Sequence, residues 1–380
     1  MKRHRISSSV LIVGMAAMPP SLNGQGVVEY ATAPHPGLWV STIEQARITI
    51  DSVRAANNIP GISIAVSVDG EVVWSEGFGW ANVETQTPVK TTTKFRIGSI
   101  SKPLTAAGLA VLVEEGKLDI DAPIQRYVPS FPEKAKGTIT TRLLGGHIAG
   151  VRHYAGDEFL NSRRYASVTA GLEIFSDDTL QTPPGTAYSY SSYGWNLISA
   201  VMEGASGEDF LPFMRAQVFR SLGMRHTVAD YTDSIIIGRT GYYGRGDDGA
   251  IRNEPFVDNS YKWAGGGFLS TPEDLLLFAN ALVSGDLVSA ETLELLWTSQ
   301  TTTAGDQTNY GIGWGAGQVG GMHRLASHGG GSVGGNSWLG ILPDDGIALA
   351  ITSNISGARW RSMPVDILHA FLETKQHGMN

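Results

Sequence analysis

The stretch Phe95-Arg-Ile-Gly-Ser-Ile-Ser-Lys-Pro103 decides the fold, because it joins a strand-like run to a helix through the chain's single Ser-x-x-Lys match. Residues 94–98 are typical of a strand, and the small and apolar residues of 106–113 continue the predicted helix. Pro103 suits the first helical turn, where backbone amides have no intrahelical partner. Gly116 is expected to end the helix.

Ser99 and Lys102 are the candidate nucleophile and its base. Side chains at positions i and i+3 lie on one face of a helix, so the Lys102 amine can reach the Ser99 hydroxyl. A lysine held in a dry cleft has a lowered pKa and can accept a proton near neutral pH. The helix N-terminus would also stabilise an oxyanion, with the Ser99 N–H as one donor. The alternative is an N-capping serine beside a solvated lysine, and the motif alone does not exclude it.

A second candidate segment is Pro184-Gly-Thr-Ala-Tyr-Ser-Tyr-Ser-Ser-Tyr-Gly194, which precedes an apolar helix predicted over residues 195–202. Tyr190 lies in the turn, where a phenol can point into a cleft. A nearby lysine ammonium favours the phenolate, so Tyr190 is expected to pass a proton to a leaving group. Packing is the alternative for these aromatics, and it is the favoured interpretation for Tyr188 and Tyr193.

The glycine tract His328-Gly-Gly-Gly331 enters a predicted strand. Glycines let the backbone approach a ligand closely, which makes Gly330 a candidate substrate contact. The Gly331 N–H is the candidate second oxyanion donor beside that of Ser99. His328 is expected to face the substrate, with a surface histidine on a glycine turn as the alternative.

The two ends of the chain are predicted to form one antiparallel sheet covered by helices. Periodicity and turn residues predict a helix, a hairpin, two further strands and a closing helix, over residues 39–57, 61–78, 336–342, 346–353 and 360–372. The middle of the chain is typical of helices joined by loops. We therefore predict a discontinuous α/β domain (38–104 and 320–374), a mostly helical domain (105–319) and an active site in the cleft between them.

Composition narrows the classes of function. The 380 residues carry a formal net charge of −8 and no basic run, which argues against nucleic acid as the main partner. There is no cysteine, so disulfides and a thiol nucleophile are excluded. The nine histidines have no zinc-binding spacing, and the glycine tracts lack the ending of a phosphate-binding loop. We expect no metal or other cofactor, and a small-molecule or peptide acyl substrate as the partner.

The N-terminus is typical of a targeting segment. Lys2, Arg3 and Arg5 precede an apolar stretch over residues 10–18, which is too short to span a bilayer. A secretory signal peptide over approximately residues 1–24 and a secreted or periplasmic location are expected, with a peripheral tail as the alternative. No stable membrane span is expected elsewhere in the chain.

Four blocks of sequence resemble the serine β-lactamase and penicillin-binding-protein superfamily, on its class C-like branch. Within it the chain looks most similar to the β-lactamase-like serine proteases related to the mitochondrial member. The blocks are residues 95–103, 184–196, 257–271 and 327–335, and the similarity extends over about residues 38–374. The resemblance implies an α/β (α+β) fold of the β-lactamase/transpeptidase type, with an antiparallel sheet flanked by helices and an inserted, mostly helical lobe.

The resemblance also implies an activity, a serine hydrolase that forms an acyl-enzyme on Ser99 and cleaves ester, amide or peptide bonds. Lys102 then resembles the base or proton relay, and Tyr190 the group that protonates the leaving group. Two alternatives stay open. One is a non-catalytic or slow-turnover penicillin-binding sensor or assembly-forming protein on the same fold, and the other is a true β-lactamase. The oligomeric state is also left open.

The chain departs from the family's pattern at four places. His328 stands where many β-lactamases carry lysine, and Ser192 replaces a substrate-orienting asparagine. Gly266 replaces a tyrosine of class C enzymes, and Leu143-Leu-Gly-Gly-His-Ile-Ala-Gly150 differs from Leu-Leu-Ser-His-Thr-Ser-Gly. A largely neutral histidine attracts a β-lactam carboxylate less than a lysine does, so efficient antibiotic hydrolysis is not expected.

A rival nucleophile is Ser332, since Gly330-Gly-Ser-Val-Gly334 matches the nucleophile elbow of α/β-hydrolases. That elbow needs a strand, a sharp turn and then a helix. The residues after Ser332 are typical of another strand, which disfavours this interpretation.

Overall fold

The computed structural model describes residues 36–378, and the predicted signal peptide over residues 1–24 lies outside them. The helices of this part of the chain are α1 (Pro36–Ala56), α2 (Ser101–Glu114), α3 (Thr141–Gly145), α4 (Val168–Gly171), α5 (Ser192–Ser206), α6 (Phe210–Met214), α7 (Trp263–Gly266), α8 (Pro272–Ser284), α9 (Ala290–Trp297) and α10 (Met363–Gly378). The strands are β1 (Gly61–Val68), β2 (Glu71–Asn82), β3 (Thr87–Pro88), β4 (Phe95–Arg96), β5 (Val228–Ala229), β6 (Tyr243–Arg245), β7 (Ile251–Asn253), β8 (Phe268–Ser270), β9 (Gly315–Val319), β10 (His323–Ser332), β11 (Gly335–Leu342) and β12 (Ile347–Ser353). Among the described helices none is both long and apolar enough to cross a membrane.

A seven-stranded antiparallel sheet is built from both ends of the chain, in the order β3-β2-β1-β12-β11-β10-β9. The predicted hairpin, β1–β2, turns at Asp69 and Gly70, whose φ angles of 51° and 85° fit a type I′ turn. Strand β12 pairs with β1 so that Ile64 lies opposite Ile351, and both are fully buried. The predicted fold class, an antiparallel sheet flanked by helices, is therefore confirmed.

Helices α1 and α10 cover one face of the sheet. Trp39 of α1 stacks on Phe371 of α10 with ring centroids 5.5 Å apart, and Phe371 stacks on Trp74 of β2 at 6.1 Å. Large aromatic side chains bury much apolar area, so this stack ties the first and last helices to the sheet. The closing helix begins three residues after the predicted residue 360 and continues past residue 372.

The other face of the sheet carries the helices that lead to the candidate site. Helix α8 packs on β1 and β12, and Ser67 of β1 donates a hydrogen bond to Asn280 of α8 at 2.8 Å. Helix α2 is buried along most of its length against α5 and α7, as its nearly continuous small and apolar residues require. Gly116, with φ of 66°, follows its C-terminus as predicted.

Strand β9 adds a strand of the main sheet to the segment predicted to be mostly helical. It lies inside residues 105–319, yet it pairs with β10 at the edge of the main sheet. Its sequence, Gly-Ala-Gly-Gln-Val, lacks the alternating apolar pattern that marks a strand, because an edge strand buries little of its surface. A small sheet in the order β4-β8-β5 also joins the nucleophile segment, through β4, to two strands that lie within residues 105–319. The division into two domains stays a prediction.

Candidate active site

Ser99 lies in a 3₁₀ turn, Gly98–Ile100, between β4 and α2. The turn packs against the glycine tract of β10. Gly98 has φ of 47°, and a Cβ at this position would collide with the backbone of Gly331. Only a glycine combines this backbone conformation with so close an approach, which explains the residue before the nucleophile.

The three predicted catalytic side chains meet at the Ser99 hydroxyl. Lys102 Nζ lies 3.0 Å from Ser99 Oγ, and the Tyr190 hydroxyl donates to the same oxygen at 2.9 Å. Both distances are those of hydrogen bonds. The serine oxygen therefore lies between an amine and a phenol, as acyl transfer to a serine requires.

Lys102 is buried, and its amine has three polar neighbours. Its side chain is fully buried, and Nζ has two further neighbours, the Gly265 carbonyl oxygen at 2.8 Å and Ser192 Oγ at 3.1 Å. Burial, with the field of Lys262 as a second cause, holds the pKa of Lys102 well below its ordinary value. The lowered pKa favours the neutral amine, and in that form Nζ can donate to Gly265 and Ser192 and still accept the Ser99 proton.

Tyr190 remains a phenol rather than the expected phenolate. Burial raises the pKa of Tyr190 above its ordinary value, and the hydrogen bonds with Ser99 and Ser192 lower it by less. The hydroxyl still lies at Ser99, and a phenol that keeps its proton can supply it to a leaving group.

Two buried histidines that the sequence interpretation did not assign hold the tyrosine segment in place. The His147 carbonyl accepts from Ser189 N at 2.8 Å, and its Nδ1 accepts from Ser191 N at 3.1 Å. The His147 ring lies 4.2 Å from that of Tyr190, between centroids. His153 Nδ1 accepts from Ser192 N at 3.2 Å. The signal for His147 was the departure of residues 143–150 from the family's loop.

Both of these histidines are neutral. Burial, followed by the field of Lys102, holds the pKa of His147 well below its ordinary value. The same two causes lower the pKa of His153 to about 4. A neutral ring nitrogen can accept the backbone N–H groups, so burial and hydrogen bonding agree.

His328 lies below the cleft and not on its surface, contrary to the expectation that it faces the substrate. It is 8% exposed, and it is not among the residues that line the cavity beside Ser99. Its Nδ1 donates to the Gly329 carbonyl at 2.6 Å, which leaves Nε2 to accept from the Tyr310 hydroxyl at 2.8 Å. Burial, with Lys102 as the next cause, lowers the pKa of His328 to about 3. The ring is thus a neutral packing element.

Two glycines of the tract in β10, Gly330 and Gly331, have different surroundings. A Cβ at Gly330 would collide with the Ile97 carbonyl and Ser337 Oγ, so Gly330 packs against the nucleophile segment and not against a substrate. Gly331 lines the cavity, and a Cβ there would have no neighbour within 4 Å. Strand β9 pairs with β10 only as far as Ser327, which leaves this part of the edge free for the Ser99 turn. The role of the Gly331 N–H as an oxyanion donor stays a prediction.

A cavity of about 470 Å³ opens beside Ser99. It is lined by Ser99, His153, Tyr154, Phe159, Tyr190, Ser192, Lys262, Gly265, Gly266, Gly329, Gly331, Ser332, Asn336, Ser356 and Gly357. Its size suits a small acyl substrate or a short peptide segment. Lys262 was not assigned from sequence, because no local pattern sets it apart from a surface lysine.

The rival nucleophile Ser332 has none of the required surroundings. It ends β10, and the chain turns directly into β11 rather than into a helix. Its Oγ is buried and has no hydrogen-bond partner within residues 36–378. Across the same residues no group of histidine and acidic side chains could hold a metal ion.

Solved structures with the same fold include a penicillin-binding protein homologue from Pyrococcus abyssi, described as octameric. It matches with a TM-score of 0.75 at 24% identity, over 88% of this chain and 77% of that chain. A D-amino acid amidase from Ochrobactrum anthropi matches with a TM-score of 0.75 at 23% identity, over 90% of this chain and 100% of the amidase. At these identities the likeness establishes the fold.

The expected secreted or periplasmic location is wrong in the light of the curated relatives. The serine beta-lactamase-like protein LACTB of Bos taurus, named as mitochondrial, is 32% identical over 85% of this chain and 75% of its own length. The human protein of that name, also mitochondrial, is 33% identical over 81% of this chain and 73% of its own. A basic, acid-poor N-terminus is common to secretory and mitochondrial targeting segments, so the residue pattern did not discriminate between them.

A D-aminopeptidase from Gluconobacter oxydans is a more distant relative, 28% identical over 67% of this chain and 48% of its own length. The family described as Beta-lactamase matches residues 46–370 of the chain, which include the serine, lysine and tyrosine that meet at the site. The chain therefore belongs to the Beta-lactamase family of serine hydrolases.

Proposed function

We propose that the chain is an acyl-enzyme hydrolase that cleaves esters, amides or peptides through Ser99. The observation that carries this proposal is the meeting of a fully buried Lys102 and the Tyr190 hydroxyl at one serine oxygen. A base must accept the serine proton and an acid must protonate the leaving group, and burial lowers the pKa of Lys102 and raises that of Tyr190, which favours both of these states.

The reaction begins when Ser99 Oγ attacks the acyl carbon and its proton passes to Lys102 Nζ. The N–H groups of Ser99 and Gly331 are the proposed donors to the oxyanion of the tetrahedral intermediate. As the intermediate collapses, the bond to the leaving group breaks and Tyr190 supplies the proton. Ser192 lies 3.1 Å from Lys102 Nζ and interacts with the Tyr190 phenol, so it can return the proton from the lysine to the tyrosine.

A water molecule then occupies the place of the leaving group and hydrolyses the acyl-enzyme by the same groups acting in reverse. Support for an amide or peptide substrate comes from the names of two similar proteins, a D-aminopeptidase and a D-amino acid amidase. The β-lactamase alternative is disfavoured by the burial of His328, because no charged side chain stands there to attract a β-lactam carboxylate. We expect weak or no turnover of nitrocefin.

Replacement of the nucleophile tests the proposal. Ser99→Ala should lower kcat/KM for p-nitrophenyl butyrate by roughly 1000-fold or more and abolish covalent labelling by a fluorophosphonate. Ser332→Ala is the matched control, because it removes a hydroxyl from the same cavity and should leave labelling intact. Labelling that survives in Ser99→Ala and is lost in Ser332→Ala would overturn the assignment. Stoichiometric acylation without turnover in the unaltered protein would favour the sensor alternative.

A further inference from the structure

A second buried lysine, Lys262, lines the same cavity. It ends the 3₁₀ turn Asn259–Lys262, directly before α7, and it is 2% exposed. Its Nζ lies 4.3 Å from the ring centroid of Phe159, 5.2 Å from that of Tyr261 and 5.7 Å from that of Tyr154. The ammonium therefore stands among aromatic rings, a few residues in sequence from the Gly265 carbonyl that binds Lys102.

Lys262 has no partner for its charge. Within residues 36–378, no hydrogen bond or ion pair includes its Nζ. Asp230 is the carboxylate that acts on it electrostatically, but the oxygens of Asp230 already accept from Arg96 at 2.7 Å and Asn259 at 3.0 Å. Arg239 adds a third contact to this carboxylate at 3.3 Å. The Asp230 carboxylate is thus already bound by other hydrogen-bond donors.

A buried ammonium without hydrogen-bond acceptors is unfavourable, and aromatic rings offset only part of the cost. Burial, followed by the nearby Arg96, lowers the pKa of Lys262 to about 7. The ring faces supply no acceptor for the three N–H groups, and Lys262 is one of the residues that line the cavity. An anion that enters the cavity would restore both the charge balance and the hydrogen bonds.

We propose that Lys262 binds a carboxylate carried by the acyl substrate, which makes the preferred substrate an anionic ester or amide. This inference rests on the proposed function for its position relative to Ser99. A carboxylate fits better than a phosphate, because one ammonium among aromatic rings balances a single charge. The neighbouring guanidinium of Arg96 is committed to Asp230 and to the Val333 carbonyl.

A positioning role is the competing explanation, since the charge of Lys262 also lowers the pKa of Lys102. The two explanations differ in what they predict for neutral substrates. Loss of a carboxylate receptor lowers the rate with charged substrates more than the rate with neutral ones. Loss of a group that only tunes Lys102 lowers the rate with every substrate equally and shifts the pH profile of each.

The test uses two esters of similar length, mono-p-nitrophenyl adipate with a terminal carboxylate and p-nitrophenyl heptanoate without one. Lys262→Met should lower kcat/KM for the adipate ester by roughly tenfold or more beyond any change for the heptanoate ester, whose rate reports the effect of the lost charge on Lys102. Lys262→Arg keeps a cation and should retain most of the preference. Lys117→Met, which removes an exposed lysine, is the control for net charge.

Equal losses on both esters with a shifted pH profile would overturn the proposal in favour of the positioning role, and so would unchanged rates. A binding measurement separates this inference from the proposed function, because it needs no turnover. The affinity for adipate is measured by isothermal titration calorimetry. The full chain and Ser99→Ala should each bind adipate at least about tenfold more tightly than Lys262→Met does. Equal binding would overturn the proposal even if Ser99 hydrolyses esters. If Lys262→Met does not fold, the unaltered protein still decides, since it should prefer the adipate ester and bind adipate.

Discussion

Two buried lysines line one cavity in this protein, and they differ in what surrounds their nitrogens. Lys102 has three hydrogen-bonding neighbours, Ser99, Ser192 and Gly265, whereas Lys262 has aromatic rings and no acceptor among the described residues. Both side chains are nearly or fully inaccessible to solvent. Burial lowers the pKa of each, so desolvation alone does not explain two different roles.

The difference lies in the partners that the fold supplies. A neutral amine with two acceptors and one donor is complete and is ready to accept a proton. An amine without acceptors is incomplete until a ligand provides them. One cavity therefore holds a proposed base, Lys102, and a proposed carboxylate receptor, Lys262. Each substitution below affects one of these two roles.

The largest effect is expected when Lys102 loses the ability to be neutral. Lys102→Arg keeps a long cationic side chain, but a guanidinium does not lose its proton in proteins and cannot accept that of Ser99. We expect kcat/KM for p-nitrophenyl butyrate to fall by roughly 1000-fold, within the range for loss of a general base. Lys102→Met should lower kcat/KM by the same factor. Its thermal unfolding, measured by circular dichroism, should remain cooperative. Substantial activity in Lys102→Arg would contradict the neutral-base assignment.

A smaller effect is expected when Lys102 loses one partner. Ser192→Ala removes the hydroxyl that lies between Lys102 and Tyr190, so the return of the proton to the tyrosine is slowed. We expect kcat to fall by roughly tenfold with little change in KM, and stability to fall by about 1 kcal/mol for the lost hydrogen bond. Ser199→Ala is the matched control, because Ser199 is a buried serine of the same helix and donates a hydrogen bond to the Asn196 carbonyl. Equal rate losses in both variants would indicate a structural effect of α5.

The smallest effect is expected from the rings around Lys262. Phe159→Leu removes the nearest aromatic face and should weaken the protonated form of the lysine by about 0.5–1 kcal/mol. The preference for the adipate ester over the heptanoate ester should then fall about two- to fivefold at neutral pH. Phe131→Leu is the control, since its ring lies 5.2 Å from Lys134, outside the cavity. An unchanged preference in Phe159→Leu would show that the rings do not support the charge.

The strongest sequence predictions were local ones. Ser99 and Lys102 lie on one helical turn, and the hairpin at Asp69-Gly70 follows from a two-residue turn between alternating strands. The meeting of Tyr190 with Ser99 across 91 positions came from family resemblance, since no periodicity connects them. Strand β9 was missed, because an exposed glycine-rich edge carries no apolar alternation.

The sequence by itself determined the β1–β2 hairpin and the nucleophile turn with Ser99 and Lys102, and its family resemblance added Tyr190. Only the tertiary structure decided the direction in which their pKa values shift and the positions of the other polar side chains, such as His328 and Lys262. Nothing local distinguishes His328 packed under the cleft from a histidine facing it, or Lys262 in an aromatic pocket from a lysine in water. The physical reason is that pKa and exposure depend on long-range packing, which sets how much water and how many partners each group keeps.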